Sequence, residues 1–305
     1  SLKLLMSSIN KILEDRNYDT LLSLAKINKI LYLIGLYNTQ IAQTSLWQEL
    51  SRRRTAQASS IVEIVEIADK LGVELLVVKT LKPFPYVPDD IDILVIDDEK
   101  IDYLIEYLRK KGYFIRKIGT PEITMRKLTN KTYVDLDIHT KMAAGPYVYI
   151  DKYYLWKRHI YKTVLDRKIP TPNDVDEILI TVGHGIMKEF HLLLADIFHL
   201  LSITPEMHQE ARLQAEKIGL STPYKYTMRE ATSFITRVVS EVSRPKQLGN
   251  ALFGFPRKVP LAIIIKSYLE NLNYRVKKEH TTPIKQLIKA PSSKGIGVLL
   301  RYLGI

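Results

Sequence analysis

The sequence predicts an α+β fold: a small mixed β-sheet with helices packed against it, preceded by N-terminal helices and followed by an all-helical C-terminal region. Three patterns lead to this prediction. Apolar residues recur at helical spacing before residue 72, short apolar runs of strand length extend from there to residue 139, and helical spacing returns after residue 171. Elements in the order helix, strand, strand, helix, strands give a mixed sheet.

The elements of the first half are predicted one by one from their apolar spacing and their end signals. A long helix runs from about Ser51 to Leu71, and Gly72 ends it because glycine adopts the left-handed conformation of a helix C-cap. A second helix begins after Asp97 and ends at Gly112. The predicted strands are residues 73–78, 90–96, 113–118, 122–128 and 132–139.

A domain boundary is expected near residue 170. The run Thr171-Pro172-Asn173-Asp174 is typical of a helix start, with a capping side chain and a proline in the first turn. Before it, Gly145-Pro146 predicts a turn and a tyrosine-rich segment follows. We therefore expect a first domain at residues 1–170, with its sheet core at 71–170, and a helical second domain at residues 171–305.

Composition limits the function classes. The chain has no cysteine, which excludes disulfides, thiol nucleophiles and cysteine-based zinc sites and is typical of an intracellular protein. No apolar run reaches the ~20 residues that a membrane-spanning helix needs. We therefore expect no transmembrane segment and a cytoplasmic location.

Positive charge is concentrated at the C-terminal end. The chain has 45 Lys and Arg against 33 Asp and Glu, a net charge of +12, and residues 244–305 contain twelve of the basic residues and only two acids. Such a block predicts a polyanionic partner, either nucleic acid or an anionic surface. A solvated lysine-rich helical face is the alternative interpretation.

Two carboxylates on one strand face are the strongest functional signal. Asp90 and Asp92 alternate with Ile91 and Ile93, so both side chains lie on one face of the predicted strand. Their repulsion costs stability unless cations lie between them. On this basis Asp92→Asn should slightly raise the stability of the metal-free protein. Asp135 and Asp137 alternate in the same way on a later strand, and either can point at the first pair.

The spacing of these residues resembles a known family. Val78-Lys79-Thr80 is followed after nine residues by Asp90-Ile91-Asp92-Ile93, and Asp137-Ile138-His139 ends a later strand. This pattern resembles the polymerase β-type nucleotidyltransferase superfamily, in particular its uncharacterised stand-alone members, over residues 71–201. The resemblance favours Asp137 as the third carboxylate, and it matches His184 and Asp196 to a later His and Asp of that group.

The resemblance implies a function and a set of roles. A nucleoside monophosphate would pass from an NTP such as ATP to an unknown acceptor hydroxyl, with release of pyrophosphate. Asp90, Asp92 and Asp137 would be the catalytic residues and would hold two Mg²⁺ ions, with Mn²⁺ as an alternative ion. The triphosphate would be bound by Lys79, Thr80 and Lys82. Further candidates around the site are Asp135, His139, His184, Lys188 and Asp196.

One departure from the family pattern leaves two alternatives open. Lys79 stands where the family has a glycine that lets the backbone approach the triphosphate. The chain is therefore either an active transferase in which the Lys79 ammonium contacts phosphate, or a degenerate member that binds nucleotide without transfer. A nucleic-acid-binding module that uses the basic C-terminal region is the third interpretation.

Overall fold

A five-stranded mixed sheet lies at the centre of the structure, a computed structural model that describes residues 18–119, 122–145, 147–241 and 254–279. The strands are β1 (Leu75–Val78), β2 (Asp90–Val95), β3 (Phe114–Ile118), β4 (Glu122–Thr129) and β5 (Thr132–His139). They lie in the order β1-β2-β5-β4-β3. Strands β2 and β5 are parallel, and the other neighbours are antiparallel. The predicted α+β class and mixed sheet are confirmed.

Side chains alternate between the two faces of the sheet, and each face belongs to a different apolar core. The helices before and within the sheet are α1 (Tyr18–Ile27), α2 (Leu31–Gly35), α3 (Thr39–Ala42), α4 (Ser45–Leu71) and α5 (Ile101–Lys110). Leu75, Val77 and Ile93 share a core with the apolar faces of α4 and α5. Leu76 and Leu94 point the other way, into the core formed with the C-terminal helices.

The long helix α4 shows why its end was easier to predict than its start. Gly72 has a φ of 62°, the left-handed conformation expected of a C-cap glycine. At the other end, the Thr44 hydroxyl accepts a hydrogen bond from the Trp47 amide at 3.2 Å. This cap places the first turn at Ser45, earlier than the predicted Ser51. Exposed polar residues in this first part of the helix interrupt the apolar spacing, so the prediction began about one and a half turns too late.

Two hairpins follow the sheet where the sequence predicted only a turn and a tyrosine-rich segment. The first pairs β6 (Met142–Ala144) with β7 (Tyr147–Ile150), and after helix α6 (Lys152–Lys157) the second pairs β8 (Ile160–Val164) with β9 (Arg167–Thr171). Tyr147 and Tyr149 are buried in the core, so these rings act as apolar strand residues.

Helices dominate the described part of the C-terminal region, as predicted. They are α7 (Asp174–His184), which continues into a π-helical turn at Gly185–Glu189, then α8 (Leu194–Leu201), α9 (Pro205–Lys217), α10 (Ser221–Glu241) and α11 (Leu261–Glu279). The region also contains a short strand pair, β10 (His191–Leu192) with β11 (Arg257–Lys258). The domain boundary near residue 170 stays a prediction.

Two further sequence predictions concern the basic C-terminal region and membrane-spanning helices. Of the basic region 244–305, the structure describes only residues 254–279, so the predicted polyanion partner of that region lies mostly outside the described residues. Among the helices that are described, none has the length and apolar character needed to cross a membrane.

Candidate active site

The three predicted catalytic carboxylates line one cleft. Asp90 and Asp92 lie on β2, and Asp137 lies on the neighbouring parallel strand β5, where its register partner is Asp92. The cleft has a volume of about 630 Å³ and lies between this part of the sheet and helices α7 and α8. Parallel register with a period of two brings these side chains to the same face.

Asp92 is the most heavily contacted of the three. It is 5 % exposed. Its Oδ1 atom lies 2.5 Å from Lys79 Nζ and 2.7 Å from His139 Nε2. Burial opposes ionisation of this carboxyl, but the Lys79 ammonium and the His139 ring outweigh it and hold the pKa of Asp92 well below its usual range.

Asp90 experiences the opposite environment. Burial, followed by repulsion from the Asp92 and Asp137 carboxylates, raises the pKa of Asp90 to about 7. Asp137 is also unusual, since its Oδ1 atom is buried and has no hydrogen-bond partner among the residues that the structure describes. Buried polar atoms normally have a partner, and an exception calls for an explanation such as an ion.

A divalent metal ion fits this group of residues. Ligand atoms of Asp92, Asp137 and His139 lie within 4.8 Å of one another. Carboxylate oxygens are the ligands that hard cations such as Mg²⁺ and Mn²⁺ prefer, and the unpaired Asp137 Oδ1 gives such an ion an open coordination position. The cluster can therefore hold a metal ion, with the Lys79 ammonium beside it as a competing cation.

Lys79 and Thr80 form a tight turn directly after β1. Lys79 has a φ of 57°, in the left-handed region that favours glycine, so the backbone keeps the conformation that a glycine would adopt there. The Thr80 hydroxyl donates to the Val78 carbonyl at 3.0 Å and accepts from the Asp92 amide at 3.1 Å. Thr80 thus connects β1 to β2 inside the protein, and its predicted contact with a triphosphate stays a prediction.

Lys82 is also among the residues that line the cleft, and it packs against helices α7 and α8. Its ammonium donates to the Thr181 hydroxyl at 2.7 Å and lies 3.0 Å from His199 Nδ1 and 3.9 Å from Glu177 Oε1. Burial lowers the pKa of this lysine, although Glu177 partly opposes the effect. Lys82 therefore anchors the loop after β1 to the helical region, and its predicted role in nucleotide binding is untested.

Glu177 is a further functional candidate, which the sequence did not suggest. It lies on α7, is 3 % exposed, accepts a hydrogen bond from the Lys79 backbone amide and faces the Lys82 ammonium. Burial raises the pKa of this carboxyl, although Lys82, Lys162 and Lys79 oppose the effect. Glu177 thus holds both ends of the 79–82 turn from a different part of the chain.

This arrangement gives a first testable prediction. Glu177→Gln keeps the side-chain shape but removes the counter-ion of a buried ammonium, so the free energy of unfolding should fall by about 1–3 kcal/mol. Chemical denaturation measures this loss. Glu216→Gln is the control. Among the described residues Glu216 makes an exposed 3.8 Å pair with Lys225 alone, so its loss should change stability by less than about 0.5 kcal/mol. Equal stability of the two variants would contradict the anchoring role.

Asp135 lies outside the cleft. Arg126 contacts its carboxylate through two nitrogens, at 2.6 and 2.5 Å, and Arg116 adds a contact at 3.2 Å. Burial opposes ionisation, but these guanidinium groups lower the pKa of Asp135. Asp135 is therefore engaged in a salt bridge on the outer part of the sheet, two residues from Asp137.

The remaining candidates line the far wall of the cleft or support it. His184 Nε2 lies 3.5 Å from Glu189 Oε1, and burial lowers the pKa of this histidine. Asp196 accepts a hydrogen bond from the Leu193 amide at 3.0 Å, at the start of α8. Lys188 donates to Glu122 Oε2 at 3.0 Å.

Glu122 and Lys29 were also missed from the sequence, although both line the cleft. Burial opposes ionisation of Glu122, but Lys188 outweighs it and lowers its pKa to about 2. Alternation along β4 would have indicated Glu122, whose register partner on β5 is His139. Lys29 contacts Asp89 at 3.1 Å, and no local pattern predicts that pair because it joins an N-terminal helix end to the loop before β2.

Comparisons with known proteins give a remote likeness in fold. No protein-family model and no curated protein matches the chain. Among solved structures, the chain is similar to a crystal structure of an antigenic nucleotidyltransferase-like protein from Paracoccidioides brasiliensis. The two are 11% identical, the match covers 68% of this chain and 96% of that one, and the TM-score is 0.39. A likeness at this level supports no conclusion about activity, which must come from the side chains of the cleft.

Proposed function

We propose that the protein is a metal-dependent nucleotidyltransferase of the polymerase β type. It would transfer a nucleoside monophosphate from an NTP to an acceptor hydroxyl, with release of pyrophosphate. The observation that supports this best is the convergence of Asp90, Asp92 and Asp137 in one cleft next to the Lys79 ammonium, with an unpaired oxygen on Asp137. Several carboxylates in one cleft beside a cation suit phosphoryl chemistry that uses divalent metal ions.

Each residue of the cleft has a role in this proposal. Asp90, Asp92 and Asp137 would hold two Mg²⁺ ions, which when bound would neutralise phosphate charge and lower the pKa of the acceptor hydroxyl. The hydroxyl oxygen forms a bond to the α-phosphorus while the bond from that phosphorus to the bridging oxygen breaks, so pyrophosphate leaves. Asp137 assists removal of the hydroxyl proton.

Lys79 would change partners when substrate binds. In the structure its ammonium lies 2.5 Å from Asp92 Oδ1, where it neutralises the carboxylate that the proposal assigns to a metal ion. A metal ion bound at Oδ1 would displace Lys79 from this contact. The freed ammonium then faces the same cleft and contacts the triphosphate by a charge-assisted hydrogen bond. His139 keeps Asp92 in place throughout.

The test is transfer of an α-labelled NTP to acceptors, together with pyrophosphate release in Mg²⁺ or Mn²⁺. Label transfer that depends on the metal supports the proposal. Binding of NTP with Mg²⁺ but no pyrophosphate release would favour the degenerate nucleotide-binding protein. That second candidate has one observation in its favour: Lys79 and His139 already satisfy Asp92 Oδ1 without a metal ion.

The pKa of Asp90 gives a pH-dependent prediction. Because this pKa is raised to about 7, the folded metal-free protein favours the protonated carboxyl. The resulting stability is fully present below pH ~4, the pKa of an unfolded Asp, and is lost as the pH rises through 7. Above pH 8, Asp90→Asn should therefore raise the free energy of unfolding in EDTA by about 1–3 kcal/mol, since one pKa unit corresponds to about 1.4 kcal/mol. At pH 4 the difference should vanish.

The same ionisation controls metal binding. A metal ion competes with the proton on Asp90, so Mn²⁺ affinity should increase between pH 6 and pH 8, and the increase should be smaller in Asp90→Asn. Isothermal titration calorimetry at pH 6 and pH 8 measures the Mn²⁺ affinity of the unsubstituted protein and of Asp90→Asn. Asp102→Asn, on the exposed surface of α5, is the control and should follow the unsubstituted protein. An Mn²⁺ affinity that is independent of pH would contradict the role of Asp90.

A further inference from the structure

A strongly basic segment forms the open edge of the central sheet. Residues 109–133 contain eight basic residues and one acid, Glu122. Acids from elsewhere in the fold pair with some of them, namely Glu106, Glu63 and Asp135. Even with these three acids included, the basic residues outnumber the acids by eight to four. The ion pairs within the described part of the chain therefore leave an excess of positive charge at this edge.

Strand β3 is the exposed edge of this sheet. All five of its residues are exposed, and Arg116 and Lys117 keep 44% and 48% of their side chains accessible. A groove of about 600 Å³ runs beside the strand and is lined by Arg109, Lys110 and Phe114, among others. Within the described part of the chain, Lys110 and Lys111 have no acidic partner.

Exposed aromatic rings are interspersed with these charges. Phe114 on β3 is 50% exposed, and Tyr133 on β5 is 56% exposed. The Arg126 guanidinium lies over the Tyr133 ring, 5.4 Å from its centroid. Accessible rings next to cations bind unpaired bases by stacking while the cations contact the phosphates. The stacked bases of a duplex do not offer their faces in this way.

The basic edge is continuous with the cleft. Tyr133, Asp135 and Asp137 lie on one face of β5, and the strand rise places the Cα atoms of Tyr133 and Asp137 about 13 Å apart. The acid between them, Asp135, is neutralised by Arg126 and Arg116. A polyanion can therefore follow this strand toward Asp137 without crossing an uncompensated negative charge.

We propose that this edge binds single-stranded nucleic acid and directs one of its ends into the cleft as the acceptor. The edge is defined by Lys110, Lys111, Phe114, Arg116, Lys117 and Tyr133. This inference rests on the proposed transferase function, since it names the class of acceptor. It differs from the polyanion partner predicted for residues 244–305, because it concerns another part of the chain.

The experiment measures binding of a fluorescent oligouridylate to the chain of residues 1–305 by anisotropy, at several salt concentrations. The charge variant is Lys110→Gln/Lys111→Gln/Lys117→Gln. Its matched control replaces three exposed lysines of the C-terminal helices, Lys217→Gln/Lys225→Gln/Lys266→Gln. Both variants contain residues 244–305, and within that region only the control loses a lysine, Lys266. If the C-terminal region bound the oligonucleotide, the control would therefore bind more weakly than the edge variant. The oligonucleotide therefore distinguishes the edge from the C-terminal region.

We expect the edge variant to bind about tenfold more weakly than the control at low salt. Its plot of log affinity against log salt should also be less steep by about 2, since each lost phosphate contact removes about 0.7 from the slope for a single strand. Phe114→Ala/Tyr133→Ala should weaken binding about fivefold or more, whereas Tyr153→Ala, which removes an equally exposed ring from α6, should not. Equal affinity of the edge variant and its control overturns the inference.

Two further outcomes separate this inference from the proposed function. Mn²⁺ binding is measured on the same proteins without oligonucleotide. If Mn²⁺ binds but the edge variant keeps full oligonucleotide affinity, the inference fails and the transferase proposal stands. If the edge variant loses oligonucleotide affinity but the unsubstituted protein binds no Mn²⁺, the edge is a nucleic-acid site and the acceptor role falls.

Edge-dependent binding to phosphatidylserine vesicles, with none to oligouridylate, would overturn the inference in favour of a membrane surface.

Discussion

Asp92→Asn should reduce metal-dependent transfer by at least about a thousandfold. The carboxylate is the central ligand of the proposed site, and loss of a metal-held transition-state contact removes several kcal/mol, with about 1.4 kcal/mol for each factor of ten. Labelled-nucleotide transfer measures the loss. Asp102→Asn, with an exposed side chain on α5, should retain full activity. Full activity of Asp92→Asn would exclude the proposed site.

The stability effect of the same substitution should be the reverse of the sequence-based expectation. Repulsion among carboxylates suggested that Asp92→Asn would stabilise the metal-free protein. In the structure, however, Asp92 is the partner of the largely buried Lys79 ammonium and of His139. Removing one member of a buried ion pair leaves the other uncompensated, so unfolding in EDTA should become easier by about 3 kcal/mol. The carboxyl that burial and the neighbouring carboxylates destabilise is that of Asp90, not that of Asp92.

A double variant separates loss of the metal site from loss of the fold. Asp92→Asn/Lys79→Met removes both members of the pair, so the free energy of unfolding should recover part of what Asp92→Asn loses. Transfer activity should not recover, because the metal ligand is still absent. Recovery of activity along with stability would show that Asp92 acts only through folding.

Lys79→Met should change the affinities for metal and nucleotide in opposite directions. Methionine keeps the aliphatic stem and removes the charge. Mn²⁺ affinity should increase about tenfold, because the cation that competes for Asp92 Oδ1 is gone. NTP affinity in Mg²⁺ should fall by about 1.5–3 kcal/mol, the range for a hydrogen bond to a charged group. Calorimetry measures both.

Lys79→Gly is the matched comparison for Lys79→Met. Both lack the ammonium, but glycine also relieves the strain of a left-handed φ of 57°, about 1–2 kcal/mol for an L-residue. Lys79→Gly should therefore be more stable than Lys79→Met and should bind NTP better, since the backbone can approach the phosphates. A parallel fall of both affinities in Lys79→Met would indicate a structural lysine and would favour the degenerate protein.

The sheet and the position of its carboxylates were predictable from the sequence because strand alternation is a local property. Ile91, Ile93 and Leu136 alternate with the carboxylates, so each strand had one acidic face and one apolar face. The alternation along β5 could not decide between Asp135 and Asp137. The choice depends on Arg126 and Arg116 from neighbouring strands, which engage Asp135 on the outer part of the sheet.

Other parts of the site were not predictable because they depend on contacts distant in the sequence. Glu177 and Lys82 are far apart in the chain, and no periodicity links an α7 carboxylate to the turn after β1. The buried Thr80 hydroxyl is a second example. The family resemblance implied a triphosphate ligand, and that role stays a prediction. What the sequence did not indicate is the contact that joins Val78 to the Asp92 amide. The β6–β7 hairpin is a third example, since its tyrosines are buried against the C-terminal helices and no local pattern indicated the strand pairing.

Mn²⁺ binding to Asp137→Asn and Asp135→Asn tests the central claim most directly. The two residues lie two positions apart on β5, yet only Asp137 lines the cleft, so each variant is the control for the other. With a non-hydrolysable NTP present, Asp137→Asn should lose Mn²⁺ affinity about a hundredfold, on the scale of a lost ligand contact worth about 3 kcal/mol, while Asp135→Asn should keep it. Loss of Mn²⁺ binding in Asp135→Asn with retention in Asp137→Asn would contradict the account, as would an unsubstituted protein that binds no Mn²⁺.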